Sequence, residues 1–171
     1  MFGSLRPYGT LAPWGSLGAV VSSPVDLGPE TFEEALYLRL SSTAALTAIV
    51  GDRIHHGHIP QGWDLPAVSF ELPGRPYGHH LRGSDGTSSP RVRISAWAAS
   101  RPQAVAMARA VRDRFQGFRG RIGRVEVMAS ILLDELDLSS PPKDESDTWT
   151  CRILMDYRIR HRVPLPTLLA S

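Results

Sequence analysis

The stretch TWTCRILMDYRIR, residues 148–160, alternates apolar and polar side chains along most of its length. One face carries Trp149, Cys151, Ile153, Met155, Tyr157 and Ile159, and the other carries Thr148, Thr150, Arg152, Asp156, Arg158 and Arg160. A repeat of two residues is typical of a β-strand with one buried and one solvated face. The pattern predicts a strand here and makes Cys151 a small core residue and not a reactive thiol.

Three other segments show the same alternation. Their apolar positions are Val68, Phe70 and Leu72 in the first, Val92, Ile94, Ala96 and Ala98 in the second, and Val125, Val127, Ala129, Ile131 and Leu133 in the third. Residues 73–90 contain three prolines and several glycines, so we expect a long loop there. Residues 137–147 are polar and include Pro141-Pro142, so we expect a second loop or a long hairpin tip.

Helices are predicted from capping signals and from apolar residues at helical spacing. Thr31 and Glu34 form a capping box before a first helix, and Ala44–Ile49 forms a short second helix that ends at Gly51. Ser100 and Gln103 form another capping box, before a helix that runs to Phe115 and ends at Gly117.

The resulting order of elements is α-α-β-β-α-β-β. Because each strand has one polar face, we expect an α+β fold in which helices pack on one face of a four-stranded antiparallel sheet. This domain is predicted over residues 31–163. A 30-residue N-terminal arm, residues 1–30, precedes it as an extended Gly/Pro-rich segment, and a short C-terminal tail, residues 164–171, follows it.

The composition is that of an ordinary globular chain, since 42% of the 171 residues are hydrophobic and 21% are charged. A single cysteine excludes an intrachain disulfide framework and a multi-cysteine zinc site. No apolar run approaches the roughly 20 residues of a membrane helix. Residues 1–30 also lack the basic and apolar regions of a secretory signal. We therefore expect no membrane partner.

Charge is unevenly distributed along the chain. Between Arg75 and Arg124 there are eleven arginines and only two acids, whereas Glu126–Asp147 contains seven acids and one lysine. In a monomer such a split is ordinary solvated surface. In a head-to-tail assembly of identical copies, the two regions would be complementary and would help to select the partner and the register.

No arrangement of residues predicts catalysis, a metal site or a cofactor. The clustered histidines His55, His56, His58, His79 and His80 fall in chain expected to be irregular, without a cysteine or a helical His-x-x-x-His spacing. The chain contains no Gly-x-Ser-x-Gly elbow and no phosphate-binding glycine loop. The adjacent carboxylates Asp134 and Glu135 would point to opposite faces of a strand. We therefore expect a protein that is not an enzyme.

Arginine-dependent binding of nucleic acid is an alternative that the sequence leaves open. Eight arginines could together contact phosphates: Arg91, Arg93, Arg109, Arg112, Arg114, Arg119, Arg121 and Arg124. However, lysine is almost absent, and no recognition helix or aromatic platform accompanies these arginines.

The order and spacing of several short motifs resemble the tail-completion (tail terminator) proteins of long-tailed phages and prophages. These motifs are Leu46–Ile54 (LTAIVGDRI), Pro60-Gln61-Gly62, Leu65–Phe70 (LPAVSF), His80-Leu81-Arg82-Gly83, Arg91–Ala98 (RVRISAWA), the helix Ser100–Phe115 and the strand Arg152–His161. The resemblance covers about 130 residues, counted from Thr31. The 30-residue arm and the acidic segment Asp137–Asp147 are longer than is usual in the family.

The resemblance implies a virion structural protein assembled in the host cytoplasm. It implies a homo-oligomeric ring, expected to be a hexamer, at the head-proximal end of the tail. There the ring would stop growth of the tail tube. Its partners would be the tail-tube protein and the head–tail connector protein, with transient contact with DNA in the lumen. A head-closure or connector adaptor, or another tail component, is the first alternative, and an Arg-dependent nucleic-acid-binding domain is the second.

The split charge and the arm supply candidate contacts for such an assembly. The candidates at a subunit interface are Arg91, Arg93, Arg109, Arg112, Glu126, Asp134, Asp137, Asp144 and Glu145. In the arm, the scattered aromatic residues Phe2, Tyr8 and Trp14 are candidates for docking on a neighbouring subunit or another virion protein.

Overall fold

The computed structural model describes residues 28–60, 62, 64–141 and 150–165, and within them the fold is α+β. The helices are α1 (Phe32–Ser41), α2 (Ala44–Val50) and α3 (Arg101–Phe115). The strands are β1 (Ile54–His56), β2 (Ala67–Gly74), β3 (Tyr77–His80), β4 (Gly83–Ser88), β5 (Arg91–Ala98), β6 (Gly120–Ile122), β7 (Val125–Asp137) and β8 (Cys151–Arg162). None of the helices in these ranges is long and apolar enough to span a bilayer.

Strand β8, whose alternation is the clearest in the sequence, lies at the centre of the sheet. It pairs antiparallel with β5 over Cys151–Arg158 and, on its other side, with β7. Beyond β5 lie β2 and then β1, and beyond the C-terminal end of β8 lie β4 and β3. Residue His161 pairs with Ser88 of β4 and with Val127 of β7, so β4 and β7 flank β8 on opposite sides.

The core lies between one face of this sheet and the helices. Paired residues of β5 and β8, such as Ile94 with Met155 and Val92 with Tyr157, share the buried face. Helix α3 packs there through six buried residues, Ala104, Met107, Ala108, Ala110, Val111 and Phe115. Cys151 is buried in this core, which confirms its prediction as a core residue.

The predicted cap of α1 is confirmed, but the predicted capping box of α3 is wrong. Thr31 Oγ1 accepts a hydrogen bond from Glu34 N at 3.2 Å, and Glu34 Oε2 accepts one from Thr31 N at 3.1 Å. These bonds hold the pKa of Glu34 below its usual value. Ser100 occupies the N-cap of α3 without a side-chain capping bond. Pro102 lies in the first turn, where its missing N–H costs little.

The prediction of four antiparallel strands is wrong, because the described sheet has eight strands. The expected loop 73–90 contains the hairpin β3–β4, which continues the β2–β5 pair beyond Gly74. Its strands consist mainly of Gly, Ser, Thr and His, so they lack the apolar repeat by which the other strands were predicted. At Gly78 an added Cβ would overlap the Asp85 carboxylate, so a larger residue there would displace that side chain.

Two short strands, β1 and β6, were also not predicted. β1 pairs parallel with β2, so the sheet is mixed and not wholly antiparallel, and His55 and His56 lie in this strand and not in irregular chain. β6 pairs with only the first residues of β7, Val125–Val127. Segments of three residues are too short to show a period, which is why the sequence did not reveal them.

Strand β7 forms as predicted, but its faces do not follow the simple alternation. Register shifts lie between Val127 and Ala129 and between Leu132 and Asp134. After the first shift, Ser130 turns to the core and is 1% exposed, whereas Ile131 is exposed. A bulge reverses every following side chain, and its position is not visible in an apolar pattern.

Arg39 connects α1 to the C-terminal end of α3. Its guanidinium lies 3.2 Å from the centre of the Phe118 ring, and its Nη2 donates a 2.5 Å hydrogen bond to the carbonyl oxygen of Arg114. A cation is favourable at this position because the last carbonyls of a helix carry partial negative charge. Burial lowers the pKa of Arg39 to about 10.

His161, in β8, connects the sheet to the start of α1. Its ring stacks on Phe32 with 4.0 Å between the ring centres, and it is 7% exposed. Burial lowers the pKa of His161 below its ordinary value of 6.5, a backbone hydrogen bond at Ile159 opposes this, and the charge of Arg75 lowers it further. Folding therefore disfavours the protonated form of this imidazole.

The resulting prediction concerns stability at mildly acidic pH. Because the folded-state pKa is depressed, the unfolded chain takes up a proton first as the pH falls below 6.5. The free energy of unfolding should therefore decrease from pH 7.5 to pH 5.5 in the wild type. It should decrease less in His161→Phe, which keeps the stack on Phe32. Urea titrations at the two pH values measure the free energy of unfolding of each protein. An equal decrease between pH 7.5 and pH 5.5 in both proteins would contradict the prediction.

Candidate assembly surface

The second half of β7 carries a strip of exposed apolar side chains. Ile131 is 51% exposed, Leu133 and Leu136 are each 42% exposed, and Leu138, just after the strand, is 44% exposed. They account for four of the ten exposed large hydrophobic residues described, within eight consecutive positions. Contiguous exposed apolar side chains on a soluble protein commonly mark a protein interface. We call residues 131–138 the β7 strip.

This strip lies at an edge of the sheet. β8 pairs with β7 on one side, whereas β6 covers the other side only at Val125–Val127. Such an edge would ordinarily offer its unpaired backbone groups to a further strand.

Several backbone groups near the edge are nevertheless already bonded. At the end of α3, Gln116 Oε1 accepts a hydrogen bond from Leu132 N at 2.7 Å, and Gly117 N donates one to Ser130 O at 2.9 Å. The carboxylates of Asp134 and Asp137 accept hydrogen bonds from Glu135 N and Ser139 N, at 2.9 and 3.1 Å. The strip is therefore more open to side-chain packing than to addition of a strand.

The hairpin β3–β4 projects at the opposite edge of the sheet. His80 pairs with Gly83, so Leu81 and Arg82 form a two-residue turn. Leu81 is fully exposed and Tyr77 is 51% exposed. Asp85 stiffens the hairpin, because its Oδ1 accepts bonds from Thr87 N and Thr87 Oγ1, each at 2.8 Å. These bonds hold the pKa of Asp85 below its usual value.

Most of the charged candidates for a subunit interface are paired inside the subunit. The ion pairs are Arg91–Asp156, Arg93–Asp156, Arg93–Glu71, Arg109–Asp113, Arg112–Glu135, Arg101–Asp137 and Arg162–Glu126. Asp134 has no ion pair within 4 Å among the described residues, and Asp144 and Glu145 lie outside them. Part of the charge split thus serves to join α3 to β7, and its role between subunits stays a prediction.

Asp156 organises the charges on the open face of the sheet. Arg91 Nε lies 2.8 Å from both carboxylate oxygens, and Arg93 Nε lies 3.6 Å from one of them. Arg158 stands opposite Arg91 in the ladder, so two cations face each other beside this carboxylate. The side chain of Asp156 is only 5% exposed, and its hydrogen bonds raise the pKa of Arg91.

A hollow of about 580 Å³ lies on the same face, at the other end of β8. Trp97 forms part of its wall and donates from Nε1 to Ser69 Oγ at 3.1 Å. Arg152 stacks over the Trp97 ring at 4.4 Å and donates to Ser95 Oγ, and no carboxylate lies within 4 Å of it among the described residues.

The histidines do not converge on one another. His56 stacks on Phe70, His79 Nδ1 lies 3.0 Å from Tyr77 O, and His80 Nδ1 accepts from Arg82 N. Within the described ranges, no group of three or more His, Cys, Asp or Glu side chains could hold a metal ion.

Pro29 and Glu30, which precede α1, contact the turn between β6 and β7. Arg124 N donates to Pro29 O at 3.0 Å, and the Arg124 side chain pairs with Glu30. Gly123 has φ +58°, and an added Cβ there would lie 2.6 Å from Pro29 N, so a side chain has no room. The docking candidates Phe2, Tyr8 and Trp14 lie outside the described residues.

Comparison with known protein families identifies the class of protein. The sequence model of the family "Tail completion protein gp17" matches residues 34–162, and the chain belongs to this family. A chain of the solved structure titled "Virion of native gene transfer agent (GTA) particle" has the same fold. Its TM-score is 0.61 at 22% identity, and the match covers 77% of this chain and 94% of that chain. A comparison with curated proteins gave no match.

The family consists of structural components of tailed-phage virions, so this protein is a phage tail structural protein. The family expectation made from short sequence motifs is thereby confirmed. Sequence reasoning missed Tyr77 and Leu81, because their segment was expected to be a loop. It also missed the exposure of Leu136 and Leu138. The apolar content of residues 131–138 was visible, but the register of β7 decides which side chains face solvent.

The Asp156 cluster yields a prediction about stability. Asp156→Ala leaves Arg91 and Arg93 without their shared carboxylate. We expect unfolding to become easier by about 2–3 kcal/mol, below the cost for a fully buried pair because the guanidiniums reach solvent. Glu71→Ala, which removes a more exposed partner of Arg93, should cost under about 1 kcal/mol. Urea denaturation compares the two variants, and equal losses would contradict the central role of Asp156.

Proposed function

We propose that this protein is a tail terminator subunit. In this proposal, copies form a hexameric ring at the head-proximal end of a long phage tail, where the ring stops growth of the tail tube and joins the tail to the head connector. Its partners are other copies of itself, the tail-tube protein and the connector protein, and DNA passes through the lumen. The proposal assigns the chain no catalytic role. The finished ring resides in the virion, and its subunits assemble in the host cytoplasm.

The observation that carries the proposal is the exposed β7 strip. A monomer would gain nothing from four large apolar side chains in water, whereas an assembly buries them. Membership of the tail-completion family supports a tail joint as the place of assembly. The second exposed apolar group, on the β3–β4 hairpin, differs from the first, and two unlike surfaces suit a head-to-tail ring.

A head-closure or connector adaptor is the alternative within the virion, because small α+β subunits can serve at several joints. Direct binding of nucleic acid has less support. Arg91, Arg93, Arg109, Arg112 and Arg124, five of the eight arginines considered for it, are paired with carboxylates of the same chain. Arg119 and Arg121 have no ion pair among the described residues, so brief contact with passing DNA is compatible with the proposed ring.

The proposal divides the chain into an arm, residues 1–30, a ring-forming domain, residues 31–163, and a tail, residues 164–171. In the arm, Phe2, Tyr8 and Trp14 dock on a neighbouring subunit or another virion protein. The junction at Pro29 and Gly123 supports this division, since it fixes the point from which the arm departs. Fully extended, the 27 residues before Gly28 span at most about 90 Å, enough to reach an adjacent copy.

The first test of the proposal is the mass and position of the assembly. The purified chain, alone or with tail tubes, should give a particle of six subunit masses in native mass spectrometry. Electron microscopy should show a six-fold ring at the upper end of the tail. A ring placed on the head side of the joint would favour the adaptor. A monomer that binds duplex DNA tightly, with a steep salt dependence, would overturn the proposal.

The second test removes the arm. Deleting residues 1–27 leaves Pro29 and Glu30 in place, so the domain should keep its melting temperature. If the arm docks on a neighbour, fewer rings should form and head–tail joining should fall. A matched control replaces Phe2, Tyr8 and Trp14 with serine and keeps the arm length. Normal ring formation and joining after the deletion would exclude a docking role for the arm.

A further inference from the structure

We infer that the turn of the β3–β4 hairpin in one copy packs against the β7 strip of the next copy. This inference rests on the proposed function, since it names the two surfaces through which the proposed ring would close. The contact joins Leu81, at the tip of the hairpin, to Ile131, Leu133, Leu136 and Leu138 of the neighbouring copy. Both groups are exposed in the single chain.

The two surfaces lie at opposite edges of one sheet. β4 and β7 both pair with β8 at His161, on opposite sides, and β3 lies beyond β4. Surfaces at opposite edges cannot meet within one subunit, but they can meet between successive copies. Repetition of such a contact is heterologous, and it closes as a ring when the rotation between copies permits.

The surfaces also match in chemistry. The hairpin turn places Arg82 beside Leu81, and Arg82 has no ion pair within 4 Å in the described part of the chain. The β7 strip contains Asp134, which likewise lacks such a pair. An acid on one surface and an arginine on the other, each beside apolar groups, favour this pairing over contact of either surface with itself.

The contact is made by side chains and not by an added strand. The hydrogen bonds from Leu132 N to Gln116 and from Glu135 N to Asp134 occupy donors that a new strand would need. The tight turn at Leu81 also presents a side chain where an extended strand would present its backbone. The hairpin therefore docks as a narrow apolar tip across the strip.

The decisive experiment maps neighbours in the assembled particle. A benzophenone amino acid is placed at Leu81, and assembled rings are irradiated, digested and examined by mass spectrometry. Mixing isotope-labelled and unlabelled chains identifies links between copies. We expect links from position 81 to residues 131–138 of another copy. The control places the same group at Val105, an exposed residue of α3, and should give no links to that segment.

A second measurement uses ordinary substitutions. Leu136→Ser and Leu81→Ser should each weaken association between copies at least about tenfold, as removal of an interface anchor does. Tyr37→Ser changes a side chain of similar exposure on α1, so its association should stay unchanged. All three variants should keep the wild-type circular dichroism spectrum and melting temperature within about 2 °C, because each site is exposed.

The outcomes separate this inference from the proposed ring. Rings that form with links from position 81 to other segments, or that tolerate both serine variants, overturn the inference and leave the ring intact. A wild-type chain that stays monomeric even with tail tubes overturns the ring and this contact together. Links from position 81 to the same position of another copy would show a two-fold contact and also overturn it.

Discussion

The hydrogen-bond ladder along β8 is the constraint on which the rest of the domain depends. β5 and β7 bond to it from opposite sides over much of its length, and β4 bonds to its last residues. The core residues Ile153, Met155 and Tyr157 project from one face of this strand towards the helices, and Asp156 gathers the arginines on the other. A slip of one residue in β8 would exchange the two sets and bury the charges.

The sequence predicted those parts of the fold in which local pattern and tertiary burial agree. Periodicity located β2, β5, β7 and β8, and capping located α1. The β3–β4 hairpin escaped because its small polar residues pack little apolar surface. It forms because its strands continue ladders that β2, β5 and β8 begin, and such support comes from distant parts of the chain.

The charged surface of the chain was predictable in kind but not in detail. The acidic and basic regions were visible in the sequence, yet Arg112 and Arg101 bind Glu135 and Asp137 of the same subunit. Whether opposite charges meet within a chain or between chains depends on three-dimensional proximity, which composition does not contain. Likewise, the bulge between Leu132 and Asp134 determines the faces of the following side chains, and a bulge leaves no regular mark in an amino-acid pattern.

The hydrogen bonds that occupy the edge of β7 have a consequence for the isolated chain. An edge strand with unpaired backbone groups can pair with strands of other chains, and repeated pairing leads to aggregation. Here the side chain of Gln116 and the carboxylates of Asp134 and Asp137 occupy donors at or near that edge. A free chain is thus less prone to add strands through its backbone, so any contact at this edge depends on side chains that fit it.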